Sequence, residues 1–458
     1  MIRSLTIRGL RGFGTEQRLE FAEPTRQAGS GLTILVGPNS GGKSTIVEAL
    51  RAVGGRREQS FSVGTPNLKA DEKVSIQCVD TIGGIHELTS IIAGGSEATF
   101  NGNANLGRFF VVPSRRYFDP FFGKASQDRE QYVLNMGFPT VRGSALNAFT
   151  QRMFKVQRDA DTRKKFDDVM RKIVDPLPEW TIELADSGHY FLKFKAGTGS
   201  HSSDGLGEGL VSCFFIVDAL YDSENNDIIV IDEPELSLHP MFQRRLAALI
   251  NEYTRTQQII VATHSPYFVD FNSVVAGAHV VRVYLRDGDS IVSSLTPASA
   301  KRIEPFLRNR NNPHILGLDA REVFFLTDGV ILVEGQDDVG GYPEIAWQLG
   351  QTFDGNFFGW GAGGADNMSA IASMLRDLGF KKVVALFDAN KKEAADAFRK
   401  EFPEYKVFEV AADDVRTKPA RKEKPETKGL LDEHGKLRPE YSNHISDIIV
   451  EANKHIAR

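Results

Sequence analysis

LTILVGPNSGGKSTIVEAL (Leu32–Leu50) is the stretch whose reading decides the fold. An apolar, β-branched run reads as a strand, a glycine-rich turn follows, and then a helix opens. Gly37 to Ser44 fits G-x-x-x-x-G-K-[ST], the phosphate-binding P-loop. Gly37, Gly41 and Gly42 let backbone N–H groups converge on a phosphate along a path that a Cβ would obstruct. Lys43 is expected to reach the β- and γ-phosphates of ATP and Ser44 to ligate Mg²⁺, while the helix N-terminus adds its partial positive charge. Asn39, Ser40 and Thr45 are counted with them as ATP-contacting positions. A mere glycine-rich loop would not need a strand before it and a helix after it.

At 458 residues the chain has room for two or three domains with large cores. With 41% hydrophobic and 25% charged residues, its composition is that of a soluble globular protein. A formal net charge of -5 excludes a polycation, so any nucleic-acid surface has to be a local patch. Cys78 and Cys213 lie far apart in apolar runs and read as reduced core thiols. The chain opens directly as a strand, without a signal peptide, and no apolar run is long enough to span a bilayer. A cytoplasmic location without membrane contact is therefore expected.

Residues 2 to 22 alternate apolar and polar around a turn at Gly12 to Gly14, which predicts a hairpin leading into the P-loop strand. After the P-loop helix, VSIQCVD, HELTSII and FFVVPSRR suggest an antiparallel β-subdomain beside a parallel core. From Ser144 to Val174 the period becomes helical, within an insertion spanning about 124–180. Phe149, Met153, Phe166, Met170 and Ile173 supply apolar faces, with Arg152, Lys155, Arg158, Arg163 and Arg171 opposite. That charge reads as a solvated helix face rather than as a DNA contact.

Further on, HSSDGLGEG (His201–Gly209) opens an apolar helix, and the strand of DIIVIDEPELSLHP ends on Asp232 and Glu233. Two adjacent carboxylates there suit two tasks: Asp232 in a Mg²⁺ shell and Glu233 polarising the attacking water. Buried without a nearby cation, such a pair would cost several kcal/mol. QQIIVATHSP places His264 at the end of the following strand, where it can approach a γ-phosphate from the side. GPNSGGKST, SSDGLGEG, IVIDEPELSLHP and ATHSP, in that order, resemble the ABC-type ATPase heads of the SMC and RecF-like group. The resemblance implies ATP as substrate and a homodimer or higher homo-oligomer through the heads. Ser203 and Gly205 would then cap the γ-phosphate held by a partner's P-loop. Gln127 and Gln131 are the candidates for a Mg²⁺-sensing glutamine.

A second α/β pattern starts near Asp328, with strands VILVEG, NFFGW, KVVALFD and KVFEVA, predicting a small parallel sheet. Glu334 follows its first strand, Asp338 stands four residues on, and Asp388 and Asn390 follow its third. Carboxylates gathered at the carboxyl ends of parallel strands form a hard-oxygen site for Mg²⁺ or Mn²⁺. With the glycine turn at Gly361 to Gly364, this pattern resembles a Toprim domain. An ABC head followed by a Toprim domain is similar to the OLD (overcoming lysogenisation defect) family of ATP-dependent nucleases, associated with defence against phage and plasmid DNA. Asn390 stands where that family carries a second aspartate, and Lys418, Lys422 and Lys424 are candidates for its late basic residue.

The expected architecture is α/β: an ABC-type head over 1–320 with an antiparallel β-subdomain and a helical insertion, then a Toprim-like domain with a C-terminal helix over 321–458. The expected function is an ATP-gated, metal-dependent nuclease acting on nucleic acid, DNA above all, with Glu233, His264, Glu334 and Asp388 as catalytic groups. The alternative is a sensor ATPase whose Toprim site is degenerate and which controls a separate effector protein. An ATP-locked DNA clamp is a third reading, weakened because no long heptad stretch supplies arms.

Overall fold

A computed structural model describes residues 1–55, 61, 66–67, 73–102, 106–114, 124, 128–129, 131, 147–188, 190–196, 199–202, 207–308, 312–420 and 426–457. The chain divides into two compact units, Met1–Val292 and Ser293–Arg458.

The first unit opens with β1 (Ile2–Arg8), β2 (Gln17–Glu20), β3 (Leu32–Val36) and α1 (Lys43–Gly54). Four strands follow: β4 (Ser75–Asp80), β5 (Ile85–Ser90), β6 (Ala98–Gly102) and β7 (Phe109–Val112). Next come α2 (Asn147–Arg158), α3 (Ala160–Ile173), β8 (Glu179–Leu184), β9 (Tyr190–Ala196), β10 (Gly199–Ser202) and α4 (Glu208–Leu220). The unit finishes with β11 (Ile228–Asp232), α5 (Pro240–Tyr253), β12 (Gln258–Ala262), β13 (His279–Arg286) and β14 (Asp289–Ser294).

Two large sheets result. One has the order β14-β13-β3-β12-β11-β7, and the pairs from β13 through β7 are parallel. Every residue of β3, β11 and β12 is buried, as expected for strands covered on both faces. The other sheet, β2-β1-β4-β5-β6, is antiparallel, and β4 alternates partly exposed with buried residues, the period of a sheet with one wet face. Helix α1 packs against strands of both sheets, so the P-loop helix is the shared core element. A third, three-stranded sheet, β10-β9-β8, is a local antiparallel ribbon.

Two sequence expectations change here. FFVVPSRR does not belong to the antiparallel subdomain: β7 is fully buried and pairs in parallel with β11 at the edge of the core sheet. Its uninterrupted apolar run, without alternation, is the pattern of such a strand. The second correction concerns Arg152, assigned above to a solvated helix face. It is 0% exposed and donates to Asp218 (2.7 Å) and Asp222 (2.9 Å). Asp218 lies on α4, so the buried ion pair fastens α2 to that helix, and Arg129 also donates to Asp222 (2.8 Å). The segment is two helices, split where Asp159 caps α3 by accepting from the Thr162 N–H. Cys78 and Cys213 are buried, and neither is in a disulfide.

The second unit carries β15 (Val330–Leu332), α6 (Gln336–Gln348), β16 (Asn356–Phe357), α7 (Ala365–Asp377) and β17 (Val383–Phe387). It closes with α8 (Lys392–Glu401), β18 (Lys406–Glu409) and α9 (Ser442–Ala457). Its sheet is parallel throughout, in the order β16-β15-β17-β18. Ile331, Val384 and Leu386 join Ile445, Ile449 and Ala452 of α9 in one core. The unit begins before the expected residue 321 because the segment after β14 is built into it. Thr296 donates its backbone N–H to Asp377 (3.0 Å), and the Ser299 and Ser373 hydroxyls meet at 3.1 Å.

Removing one partner of a buried ion pair strands the other charge in a medium of low polarity. Arg152→Ala is therefore expected to destabilise the first unit by about 3–5 kcal/mol, whereas Lys155→Ala, on the exposed face, should stay within about 0.5 kcal/mol. Urea unfolding midpoints of the two variants provide the comparison.

Candidate functional site

Parallel pairing in register sets the first site. Asp232 stands opposite Ala262, and Ala262 opposite Leu35, so β3, β12 and β11 end side by side. The segments that leave those ends are the P-loop, the Thr263–His264–Ser265 turn and the Asp232–Glu233 pair. This is the crevice beyond the carboxyl ends of strands where open α/β sheets bind ligands.

The P-loop glycines are required twice over. Gly37 (φ 125°) and Gly42 (φ 116°) take a backbone that L side chains rarely adopt. A Cβ on Gly37 or on Gly41 would also lie 2.3 Å from the Val283 carbonyl oxygen of β13. Lys43 donates from Nζ to the Gly37 (2.9 Å) and Pro38 (3.0 Å) carbonyls, so the loop curls around its own ammonium group. Desolvation pulls the Lys43 pKa down to about 8, while Asp232, Glu233 and Glu235 pull it back up. Asn39 and Ser40 are exposed at the tip, and Thr45 is buried with its N–H on the Gly42 carbonyl (3.0 Å).

Ser44 Oγ donates to Asp232 Oδ1 at 3.4 Å. A hydroxyl and a carboxylate in that relation are the oxygen donors a Mg²⁺ between nucleotide and protein requires. Glu233 sits at φ 49°, a left-handed conformation costing on the order of 1–3 kcal/mol, and its N–H donates to the Ala262 carbonyl (2.7 Å). The His264 pKa is pushed down to about 4, first by desolvation and then by the Lys43 charge. At neutral pH the ring is uncharged, with one nitrogen donating and the other accepting.

Glu235 is the residue that sequence reasoning missed. Its carboxylate accepts the His264 backbone N–H (2.6 Å) on one oxygen and the Thr263 hydroxyl (2.7 Å) on the other. Burial raises its pKa, opposed by those same hydrogen bonds. The available signal was a second acid two positions beyond Glu233, which nothing in the sequence motif used. Ser203 and Gly205 lie outside the described residues, as do Gln127, Lys422 and Lys424. Gln131 is exposed and accepts the Asp128 N–H at 3.2 Å.

The second site lies in the second unit. Glu334, Asp338, Asp388 and Asn390 line one cleft of about 460 Å³, together with His314 and Lys418. Asp414 is also part of its wall, and sequence reasoning had passed over that residue. Glu334 Oε1 accepts the Asp388 N–H (3.2 Å), and Asp338 Oδ2 accepts the Gly335 N–H (2.8 Å). The turn after β16 is forced to glycine where a Cβ on Gly361 would lie 2.6 Å from the Gly335 backbone.

The acids of the cleft feel one another. Asp388 is raised to about 8 by burial and then by Asp338, Glu334 and Asp414, with Lys418 opposing. Asp338 is raised to about 6, by burial first and Glu334 next, and Glu334 rises for the same leading reason. Such a donor set suits a hard divalent cation, whose charge would relieve the repulsion. Two observations weigh against a tight site. Asn390 donates its amide to the Asp413 carbonyl (3.1 Å), and among the described residues no three His, Cys, Asp or Glu side chains form a group that could hold a metal ion.

Known proteins bear on the first site directly. Residues 140–270 match the family model described as "AAA domain, putative AbiEii toxin, Type IV TA system", and residues 4–81 match a second, described as "AAA domain". The chain is 25% identical to the OLD nuclease of Thermus scotoductus over 365 residues, covering 67% of this chain and 68% of that one. It is 24% identical to the Septu protein PtuA of Bacillus thuringiensis over 319 residues, covering 59% and 73%. Among solved structures it is similar to the SMC head domain from Thermotoga maritima (TM-score 0.38, 17% identity), covering 64% of this chain and 99% of that one. It is also similar to the Pyrococcus furiosus Smc head bound to the C-terminal domain of ScpA (TM-score 0.45, 15% identity, 67% and 99%).

Strand register, glycine loop and family matches together make this chain a P-loop ATPase with mixed α/β sheets. Within that class it is an OLD-like ATPase. Among the described residues no helix is long and apolar enough to cross a membrane.

Lys43→Ala is expected to abolish ATP binding in calorimetric titration. Glu233→Gln should keep that binding while lowering turnover by about 10²–10⁴-fold, the usual contribution of a positioned general base. Phosphate release measured at saturating ATP separates the two variants.

Proposed function

We propose that the chain is an ATP-gated, metal-dependent nuclease acting on DNA, working in defence against phage. In the first unit, the backbone N–H groups of the P-loop and Lys43 would cradle the phosphates. Ser44 and Asp232 would hold Mg²⁺, and Glu233 would orient the attacking water with His264 beside the γ-phosphate. Two heads would close on ATP as a homodimer or larger homo-oligomer, with Ser203 and Gly205 facing the partner's nucleotide.

The single observation that carries the cleavage reading is the acidic cleft. Glu334 and Asp338, on the passage from β15 into α6, meet Asp388, which follows β17, at the carboxyl end of one parallel sheet. A Toprim-like domain gathers its acids in this way. Mg²⁺ or Mn²⁺ held there would stabilise the charge that develops on the oxygens of a phosphodiester during displacement. Lys391 and Lys418 are both on the cleft wall, Lys418 paired with Asp414, and would supply positive charge toward the substrate phosphate. The similarity to a protein named OLD nuclease supports the same reading.

A second reading is favoured by one specific observation. Asn390 is exposed and spends its amide on a backbone carbonyl, so the cleft has one anionic ligand fewer than a paired-aspartate site. On that reading the ATPase assembles a scaffold and controls a separate effector protein.

Supercoiled plasmid incubated with purified protein, ATP and Mn²⁺ distinguishes the two. Nicking or linearisation is expected, and Glu334→Ala and Asp388→Ala should lower it by about 10²-fold or more while ATP hydrolysis continues. Asn390→Asp should tighten Mn²⁺ binding. Cutting by both alanine variants at the wild-type rate would remove the cleft from the reaction.

A further inference from the structure

The ATPase site depends on two turns that belong to neighbouring strands: Glu233–Leu238 after β11 and Thr263–Ser265 after β12. Glu235 joins them on one side. On the other side they are joined by Gln243, a residue in the first turn of α5 that matches no motif.

The geometry fixes the orientation of the Gln243 amide. A backbone carbonyl can only accept, so the amide nitrogen faces Leu238 and donates to its carbonyl oxygen (2.8 Å). That leaves Oε1 toward Ser265, whose hydroxyl donates to it at 2.6 Å. Ser265 Oγ in turn accepts the Tyr267 N–H (3.3 Å), so the hydroxyl both donates and accepts. The chain continues beyond Leu238. Ser237, at φ 60°, donates its hydroxyl to Glu208 Oε2 (2.8 Å), the first residue of α4. A Cβ on Gly209 would lie 2.4 Å from the Ser237 carbonyl, so the start of α4 presses on the same turn.

The first turn also carries Glu233, whose carbonyl accepts the Leu236 N–H (3.2 Å), while the Glu235 carbonyl accepts that of Leu238 (2.9 Å). Moving Leu238 therefore moves the backbone that holds Glu233 in its left-handed conformation. We propose that Gln243 is a positioning residue for ATP hydrolysis. Its amide holds the His264–Ser265 turn and the Glu233–Leu238 turn at one separation and passes that setting to the start of α4. Gln243 touches no reacting atom; it acts through Ser265 and Leu238.

The inference rests on the ATPase reading, and wild-type and Lys43→Ala hydrolysis rates check that reading separately. The test compares Gln243→Met, close in shape but without the amide, with Gln243→Glu, which keeps an acceptor for Ser265 but cannot donate to Leu238. Since displacing a catalytic group by a fraction of an ångström slows chemistry without loosening substrate, Gln243→Met should lower kcat about tenfold and leave ATP affinity within about twofold. Gln243→Glu should fall between it and wild type. Because the two groups act as a unit, the double variant Gln243→Met/Ser265→Ala should be no slower than Gln243→Met. Should Gln243→Met fail to fold, Ser265→Ala alone must show the same fall in kcat at unchanged affinity. A Gln243→Met or Ser265→Ala enzyme turning over at the wild-type rate overturns the proposal. So does a double variant whose losses multiply, or a fall in kcat matched by an equal loss of affinity.

Discussion

The constraint on which the ATPase site depends is register. Because β3, β12 and β11 pair in parallel with Leu35, Ala262 and Asp232 on one line, three chemically different loops leave the sheet at the same height. A slip of one residue would turn every side chain to the opposite face and separate Asp232 from Ser44. Continuous burial of Ile228–Asp232 and Gln258–Ala262 makes that slip costly, so the hydrophobic core holds the catalytic geometry.

Packing and chemistry reinforce each other at the P-loop. Val283 of β13 closes on Gly37 and Gly41 so tightly that no side chain fits, which fixes the loop even before a phosphate is considered. Lys43 then sits in a desolvated pocket where the loop carbonyls and three acids compensate its charge. A nucleotide phosphate offers that ammonium group a full negative charge instead of carbonyl dipoles. His264 is kept neutral first by its own burial and then by the same Lys43 charge, so the lysine acts on both sides of the site.

Much of this was legible in the sequence because glycine spacing and apolar runs are local signals. GPNSGGKS, IVIDE and VATH each declare a strand end and the group it carries, and the strands fell where those patterns place them. What escaped were residues defined by contacts distant in sequence. Arg152 reads as one more charge on a basic helix, since nothing near it announces Asp218 and Asp222, about 70 positions on. Glu235, Gln243 and Asp414 escaped for the same reason: each matters only through a partner on another segment. β7 was assigned to the wrong sheet because an apolar run specifies burial but not the neighbour it pairs with.

The acids of the two sites show how environment separates like residues. Asp232 stands beside Lys43 and Ser44, so its charge has a local partner. Burial, Asp338, Glu334 and Asp414 outweigh Lys418 at Asp388, which is pushed up to about 8. Lys418 is itself engaged with Asp414, and Arg416 with Asp337 (2.8 Å), while Lys391 lines the same cleft and its charge lowers the Glu334 pKa. The raised Asp388 pKa, about 8, is the cleft's own response: near neutral pH a proton on that carboxyl relieves part of the repulsion among the acids, and any cation entering the cleft would have to displace it.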